Sequence, residues 1–189
     1  PGVDSHYMIV NQIVKDDLGN MWIVNPYCEQ DGHLLAIQSS IDGSWSHIKI
    51  PDDKSYRPQS IALEQIGTYQ RTWVGLAYDA IDENTIYSEG GIKVLSHANY
   101  SSNDLDTTWL TITNPSVLPG NDAHASVWSL VFDKMGWLWI MSEKGVRGYT
   151  YMNNFADNTI TLDPVAKYLD GSSIDYLGNI SFVKGNRIK

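Results

Sequence analysis

The chain has 189 residues, of which 42% are hydrophobic and 19% charged, so it can bury the core of one large domain or two small ones. The 13 Lys and Arg are outnumbered by 22 Asp and Glu, and the net charge of −9 argues against binding to nucleic acid or to anionic lipid. The longest apolar run is far shorter than the roughly 18 residues of a membrane-spanning helix, so we expect no direct membrane insertion.

The aromatic residues and the spacing of turn residues favour β-structure. The chain contains 7 Trp and 11 Tyr but only 3 Phe, and Trp and Tyr combine apolar area with a polar group that suits sheet packing and ligand faces. Short runs rich in Val, Ile, Thr, Tyr and Trp alternate with Gly, Asn, Asp and Pro, and Leu-rich amphipathic patterns are missing. The sequence therefore predicts an all-β fold.

The first predicted element is a β-hairpin at residues 9–24, in which two apolar runs are joined by an acidic, Gly-containing turn. A Gly with positive φ closes such a turn, an Asp accepts hydrogen bonds from its backbone amides, and a Trp three residues after the Gly lies on the second strand. Copies recur at residues 127–141 and 174–183, and a degenerate copy without the acidic turn lies at residues 60–76. One carboxylate per turn offers too few oxygens for a metal, so we predict a structural role for Asp17, Asp133 and Asp175.

Two further strands follow the hairpin in the repeated unit. Third strands are predicted at residues 89–95 and 143–149, and fourth strands, each ending at or near a Pro, at residues 44–51, 108–115 and 158–164. Four short antiparallel strands repeated over roughly 40 to 50 residues form the blade of a β-propeller. We therefore predict a single propeller segment over residues 1–189, with blades at about 6–51, 58–115 and 124–169 and a partial blade at 172–189.

About three and a half blades do not close a propeller, which needs at least four. An open arc leaves sheet faces uncovered at both ends, and large apolar patches promote association. We therefore expect the chain either to be part of a larger propeller or to complete one by self-association.

The hairpin motif resembles a known repeat. Asp-x-x-Gly-Asn-x-Trp-Ile, followed by a Gly-Val or Gly-Gly-Ile turn, is similar to the two-component regulator propeller repeat. Residues 17–24 and 133–149 carry the motif best, residues 60–95 lack the Asp, and Ser181 replaces the Trp in the last copy. Members of that family occur in periplasmic sensor regions of bacterial histidine kinases, where they commonly recognise glycans, and in exported surface proteins. The resemblance implies a non-catalytic binding or sensory module in a periplasmic or extracellular location.

A weaker resemblance, of the last residues of the chain, suggests an enzyme as the alternative to a binding module. Residues 178–188 contain Gly-Asn-Ile-Ser-Phe and Gly-Asn-Arg-Ile, and similar elements occur in virginiamycin B lyase-type propellers. A lyase would need a catalytic His on the ligand face, where His124 is best placed. A protein–protein interaction scaffold is a third alternative.

A propeller places its ligands near the central channel, on loops that join strand two to strand three and strand four to the next blade. Tyr faces can stack on sugar rings and charged side chains can bind hydroxyl groups, so we expect a carbohydrate or another small polar ligand. The predicted ligand-binding residues are Tyr27, Glu29, Tyr56, Arg57, Tyr78, Asp79, His124, Glu143 and Lys144.

The sequence lacks the motifs of several other chemistries. Its single cysteine, Cys28, excludes an intramolecular disulfide, and no Cys and His set suits zinc. There is no Gly-x-Ser-x-Gly element, phosphate loop or dinucleotide fingerprint. We therefore predict no metal, no cofactor and no catalytic residue. We expect packing between sheets, rather than ligand binding, for the strand tryptophans Trp22, Trp73, Trp128, Trp137 and Trp139.

Overall fold

The computed structural model describes residues 10–26, 33–49, 56–67, 69–82, 85–98 and 107–165. Within these ranges the chain forms twelve β-strands, and its helical segments are the two 3-10 turns Pro115–Val117 and Pro119–Asn121. The all-β class predicted from the composition is confirmed. No helix in this part of the chain is both long and apolar enough to span a bilayer. The predicted partial blade at residues 172–189, with Asp175 and Ser181, lies outside the described residues.

The first four strands form an antiparallel sheet of their own, which we call the first meander. They are β1 (Gln12–Lys15), β2 (Met21–Val24), β3 (His33–Gln38) and β4 (Trp45–Lys49). Trp22 on β2 lies opposite Val14 on β1 and Ile37 on β3, so these side chains share one face of the sheet. Buried and half-buried residues alternate along β2, as expected for a sheet that packs on one face.

The remaining eight strands form one sheet that consists of two antiparallel meanders. The second meander consists of β5 (Arg57–Ile66), β6 (Tyr69–Asp82), β7 (Thr85–Ala98) and β8 (Thr107–Ile112). The third meander consists of β9 (Val127–Phe132), β10 (Leu138–Ser142), β11 (Gly145–Asn154) and β12 (Thr159–Pro164). The strand order is β5-β6-β7-β8-β12-β11-β10-β9, and the two meanders meet where β8 and β12 run parallel.

The join between the second and third meanders differs from the predicted set of separate four-stranded sheets. Asn114, just after β8, accepts a hydrogen bond from Leu162 N at 2.9 Å and donates one to Leu162 O at 2.7 Å. The Asn114 side chain thus satisfies backbone groups at the edge of β12, which would otherwise need water. The end strands β5 and β9 also pack against each other. The eight strands therefore make a nearly closed, barrel-like sheet.

The second meander is buried on both faces because it lies between the first and the third. Successive side chains along its strands point alternately to the one and to the other. One face packs with Trp22 of the first meander, and the other packs with Tyr149 of the third. Trp22 and Trp73 are fully buried, as predicted. The residues facing the first meander include Ile61, Val74, Leu76 and Leu95, and those facing the third include Ala62, Trp73, Ile92 and Val94.

The acidic residue of the first turn is Asp16, so the assignment to Asp17 was wrong. Oδ1 of Asp16 accepts hydrogen bonds from the backbone N–H groups of Leu18 and Asn20, at 3.0 and 2.8 Å. Its Oδ2 accepts hydrogen bonds at 2.9 Å from the Asn20 amide and from Nε1 of Trp22. Asp16 is buried, whereas Asp17 is exposed to solvent.

The same arrangement recurs in the third meander, where Asp133 was predicted correctly. Oδ1 of Asp133 binds the backbone N–H groups of Met135 and Trp137, and its Oδ2 accepts a 2.8 Å hydrogen bond from Nε1 of Trp139. In the second meander, which lacks the Asp, Oε2 of Glu64 accepts the hydrogen bond from Trp73 Nε1 at 3.0 Å. Each second-strand tryptophan therefore has an acidic partner.

Candidate functional site

Most of the predicted ligand-binding residues lie in the second and third meanders and their connections. Arg57 is the first residue of β5 and Tyr56 precedes it. His124 is in the connection between β8 and β9, and Glu143 and Lys144 form the turn between β10 and β11. Tyr27 and Glu29, which were predicted on the loop after β2, lie outside the described residues.

Tyr78 and Asp79 were predicted on a loop, but they lie within a strand. β6 continues to Asp82, and in its pairing with β7 Tyr78 is opposite Glu89 and Asp79 is opposite Ser88. The backbone of both residues is therefore fixed by a sheet rather than by a flexible turn. The extended hairpin also brings Glu89 to the site, although no sequence motif indicated this residue.

Two consecutive glycines in β7 position the connection that carries His124. Gly90 and Gly91 have φ of +71° and +74°, a region that other residues rarely adopt. A Cβ atom on Gly90 would collide with the carbonyl oxygen of His124, and Gly91 N donates a 3.0 Å hydrogen bond to Ala125 O. The glycines thus allow the connection to lie directly on β7. There, Nδ1 of His124 donates a 3.0 Å hydrogen bond to the carbonyl oxygen of Glu89.

Ser126 joins three parts of the site. Its Oγ accepts a 2.9 Å hydrogen bond from Tyr78 N, and its carbonyl oxygen accepts one of 3.1 Å from Glu143 N. Ser126 is buried and sits two residues after His124. It therefore holds β6, the connection to β9 and the β10–β11 turn in fixed positions. No sequence motif indicated this role, because its partners are distant along the chain.

Arg57 and Asp79 form an ion pair beside this group. The distance from Arg57 Nη1 to Asp79 Oδ2 is 2.5 Å, and both side chains are about one-third exposed. The backbone of Arg57 is fixed as well, because Arg57 N donates a 3.1 Å hydrogen bond to Oγ of Ser88. Tyr56, the preceding residue, has Nζ of Lys93 5.0 Å from its ring centre, within the range of a cation–π contact.

A cavity of about 420 Å³ lies beside His124. Its polar lining includes His124, Glu89 and Lys93, and its apolar lining includes Trp109 and Leu118. An imidazole, a carboxylate, an ammonium group and an indole can together bind polar groups and cover a flat ring. Glu89, Lys93 and Trp109 were not predicted from the sequence, because β7 and β8 carry no site motif.

The structure therefore connects most of the predicted residues of this region. Tyr78 and Glu143 are linked through Ser126, and Asp79 extends the group to Arg57. Nζ of Lys144 lies 3.7 Å from Oε1 of Glu143, on an exposed turn. Within the described ranges, no three His, Cys, Asp or Glu side chains could together hold a metal ion.

Comparison with known proteins does not assign a family. The chain matches no protein-family model, and a search of the curated proteins finds no match. The function is therefore inferred from the contacts and the chemistry of the residues described above.

Proposed function

We propose that the chain is a β-propeller segment that serves as a non-catalytic binding or sensory module for a small polar ligand, with carbohydrate as the first class to test. The proposal is carried by the cavity at His124 together with the linked residues Arg57, Asp79, Tyr78, Ser126 and Glu143. The two are connected through Glu89, which lines the cavity and lies opposite Tyr78 in the sheet. Hydrogen bonds to Ser126 fix the backbone of Tyr78 and of Glu143, and a site whose backbone is preorganised loses less entropy when it binds a ligand.

The order of the strands supports the propeller part of this proposal. Each meander has its four strands in sequence order, and the second lies between the first and the third with both faces buried. The first strands of the second and third meanders, β5 and β9, pack together, which is where inner strands of neighbouring blades would meet. Trp22, Trp73 and Trp139 occupy matching positions on the second strand of each meander.

The third meander leaves apolar side chains on the face that is turned away from the second. Trp139 shares this face with Val131, which is 51% exposed, and with Gly148, since both lie directly opposite it in the sheet. Trp22 and Trp73 are covered by the next meander, whereas Trp139 is only half-buried. We propose that a further blade, supplied by more chain or by a second copy, covers this face. Light scattering over a concentration series distinguishes the two sources.

The proposed location is periplasmic or extracellular, in a bacterium, and it rests on the resemblance of the hairpin motif to two-component regulator propeller repeats. Fractionation of cells that express the full-length protein tests it. Recovery from the cytoplasmic fraction alone would contradict the proposal.

A glycan array followed by calorimetry with the best ligand tests the binding function. Lys93→Ala and His124→Ala should each weaken binding at least tenfold, because both residues line the cavity. Met135→Ala is the control, since Met135 is exposed on the β9–β10 turn.

Turnover of a bound ligand that is lost in His124→Ala would instead favour the lyase. Protein partners in the absence of any glycan binding would favour the scaffold.

A further inference from the structure

A second cavity, of about 300 Å³, opens between the second and third meanders. It lies near Tyr69 at the start of β6, whereas the site described above lies near Tyr78. Nine residues of strand separate the two, or about 30 Å at the usual rise of a β-strand. Ile66, Tyr69, Arg71 and Leu110 line the cavity from the second meander, and Asn153 and Phe155 line it from the third.

The charged residue in this cavity is Arg71, whose side chain is only 2% exposed. Among the described residues, none accepts a hydrogen bond from its buried Nε or Nη1. The nearest carboxylate oxygen, Oε2 of Glu64, is 3.6 Å from Nη1 and already accepts the hydrogen bond from Trp73. Burial lowers the pKa of Arg71 and raises that of Glu64, so this pair does not fully compensate the loss of water.

The surroundings of Arg71 limit the shape and chemistry of a partner. The ring of Tyr151 lies 5.5 Å from the guanidinium carbon and supports it from one side. The buried Oδ1 of Asn153 likewise has no donor among the described residues. At the rim, Tyr69 is 56% exposed and Phe155 is 75% exposed. The cavity therefore combines a cation, a hydrogen-bond acceptor and an aromatic rim with apolar walls.

We propose that this cavity is a second binding site, for a small hydroxylated aromatic carboxylate. The carboxylate pairs with the guanidinium group of Arg71, which lines the cavity, since charge-assisted hydrogen bonds to a guanidinium are among the strongest that proteins make. The hydroxyl group donates to Asn153, and the ring packs between Tyr69 and Phe155. The cavity volume is at the lower end of the range of about 300–1,000 Å³ for ligand pockets, which suits a single ring.

Calorimetry with the wild-type chain tests the ligand chemistry. The probes are the three monohydroxybenzoates, the corresponding hydroxybenzamides, which lack the charge, and acetate, which lacks the ring. At least one hydroxybenzoate should bind, and its amide and acetate should bind tenfold or more weakly. Equal binding of the acid and the amide would overturn the proposal, as would no binding of any hydroxybenzoate at millimolar concentration.

Substitutions of exposed residues at the rim of the cavity can locate the binding site without disturbing the core. Tyr69→Ala and Phe155→Ala should each weaken binding of the hydroxybenzoate at least threefold and leave the melting temperature unchanged. Met152→Ala is the matched control: Met152 is 68% exposed and points away from the cavity, because side chains alternate along β11. If Phe155→Ala and Met152→Ala bind the hydroxybenzoate equally well, the cavity is not the binding site.

Discussion

Nε1 of Trp22 donates a hydrogen bond of 2.9 Å to Oδ2 of Asp16, six residues earlier in the chain. Trp139 and Asp133 form the same bond over the same spacing, at 2.8 Å. In both places the other carboxylate oxygen accepts hydrogen bonds from backbone amides of the turn. One carboxylate thus closes the hairpin and also orients the indole that packs on the face of the sheet.

Replacing Asp16 should destabilise the fold much more than replacing its neighbour. Asp16→Ala removes four hydrogen bonds to a buried carboxylate, one of which comes from Trp22 Nε1. We expect the free energy of unfolding to fall by about 2–4 kcal/mol. Asp17→Ala is the matched control, and we expect a change within about 0.5 kcal/mol at this exposed position. Urea unfolding monitored by Trp fluorescence measures both, and equal effects would refute the role of Asp16.

Protonation of Asp133 should lower the free energy of unfolding at acidic pH. The hydrogen bond from Trp139, followed by those from backbone amides, lowers the pKa of Asp133 in the native state. Because its native pKa is below its unfolded pKa, Asp133 stabilises the fold above the usual aspartate pKa near 4, and this stabilisation is lost as the pH falls through the native value. The stability difference between wild type and Asp133→Asn should therefore shrink in acid.

Trp139→Phe provides the control for this pH dependence. The variant keeps an aromatic ring on β10 but lacks the Nε1 donor, so the pKa of Asp133 should move back towards its ordinary range. Its unfolding curve should show less loss of stability in acid than the wild-type curve. If the curves of wild type and Asp133→Asn run parallel from pH 7 to pH 2, Asp133 is not the group responsible.

The sequence predicted the strands well wherever local signals were strong. The turn glycines and the second-strand tryptophans indicated the hairpins. Both belong to patterns that span fewer than ten residues, so they can be recognised in the sequence. The two adjacent aspartates misled the assignment of the first turn, since either could accept hydrogen bonds. Glu64 was missed because it lies nine residues before Trp73, rather than six. The join of β8 to β12 depends on Asn114 and Leu162, which are 48 residues apart, so no local pattern could predict it.

The candidate site was less predictable for the same reason. Tyr78, His124 and Glu143 were selected from their expected positions around a central channel, but the atoms that connect them belong to Ser126 and to the backbone of Glu89. A buried serine carries no motif. Arg71 was overlooked because its environment is created by a strand of the third meander, far along the chain.

Gly90→Ala should disrupt the site more than an otherwise similar glycine substitution. The new Cβ meets the carbonyl oxygen of His124, so the connection must move away from β7. Gly67→Ala is the control: Gly67 also has a positive φ, +59°, but a Cβ there meets no atom of the described residues within 4 Å. Both variants should lose about 1–2 kcal/mol of stability to backbone strain. Only Gly90→Ala should shift the NMR signals of the His124 ring, and unchanged signals would contradict the proposed role of Gly90.

The ion pair of Arg57 and Asp79 should contribute modestly to stability, in addition to the backbone pairing that fixes β5 against β6. Because both side chains are about one-third exposed, solvent screens the pair, and a double-mutant cycle with Arg57→Ala and Asp79→Ala should give a coupling energy of about 0.5–1 kcal/mol. The coupling should decrease in 1 M salt, since screening weakens interactions between exposed charges. A cycle on the neighbouring residues Glu143 and Lys144, whose charged atoms are 3.7 Å apart on an exposed turn, should give a smaller value. Equal coupling in both cycles would contradict a stronger interaction for the Arg57–Asp79 pair than for the pair on the exposed turn.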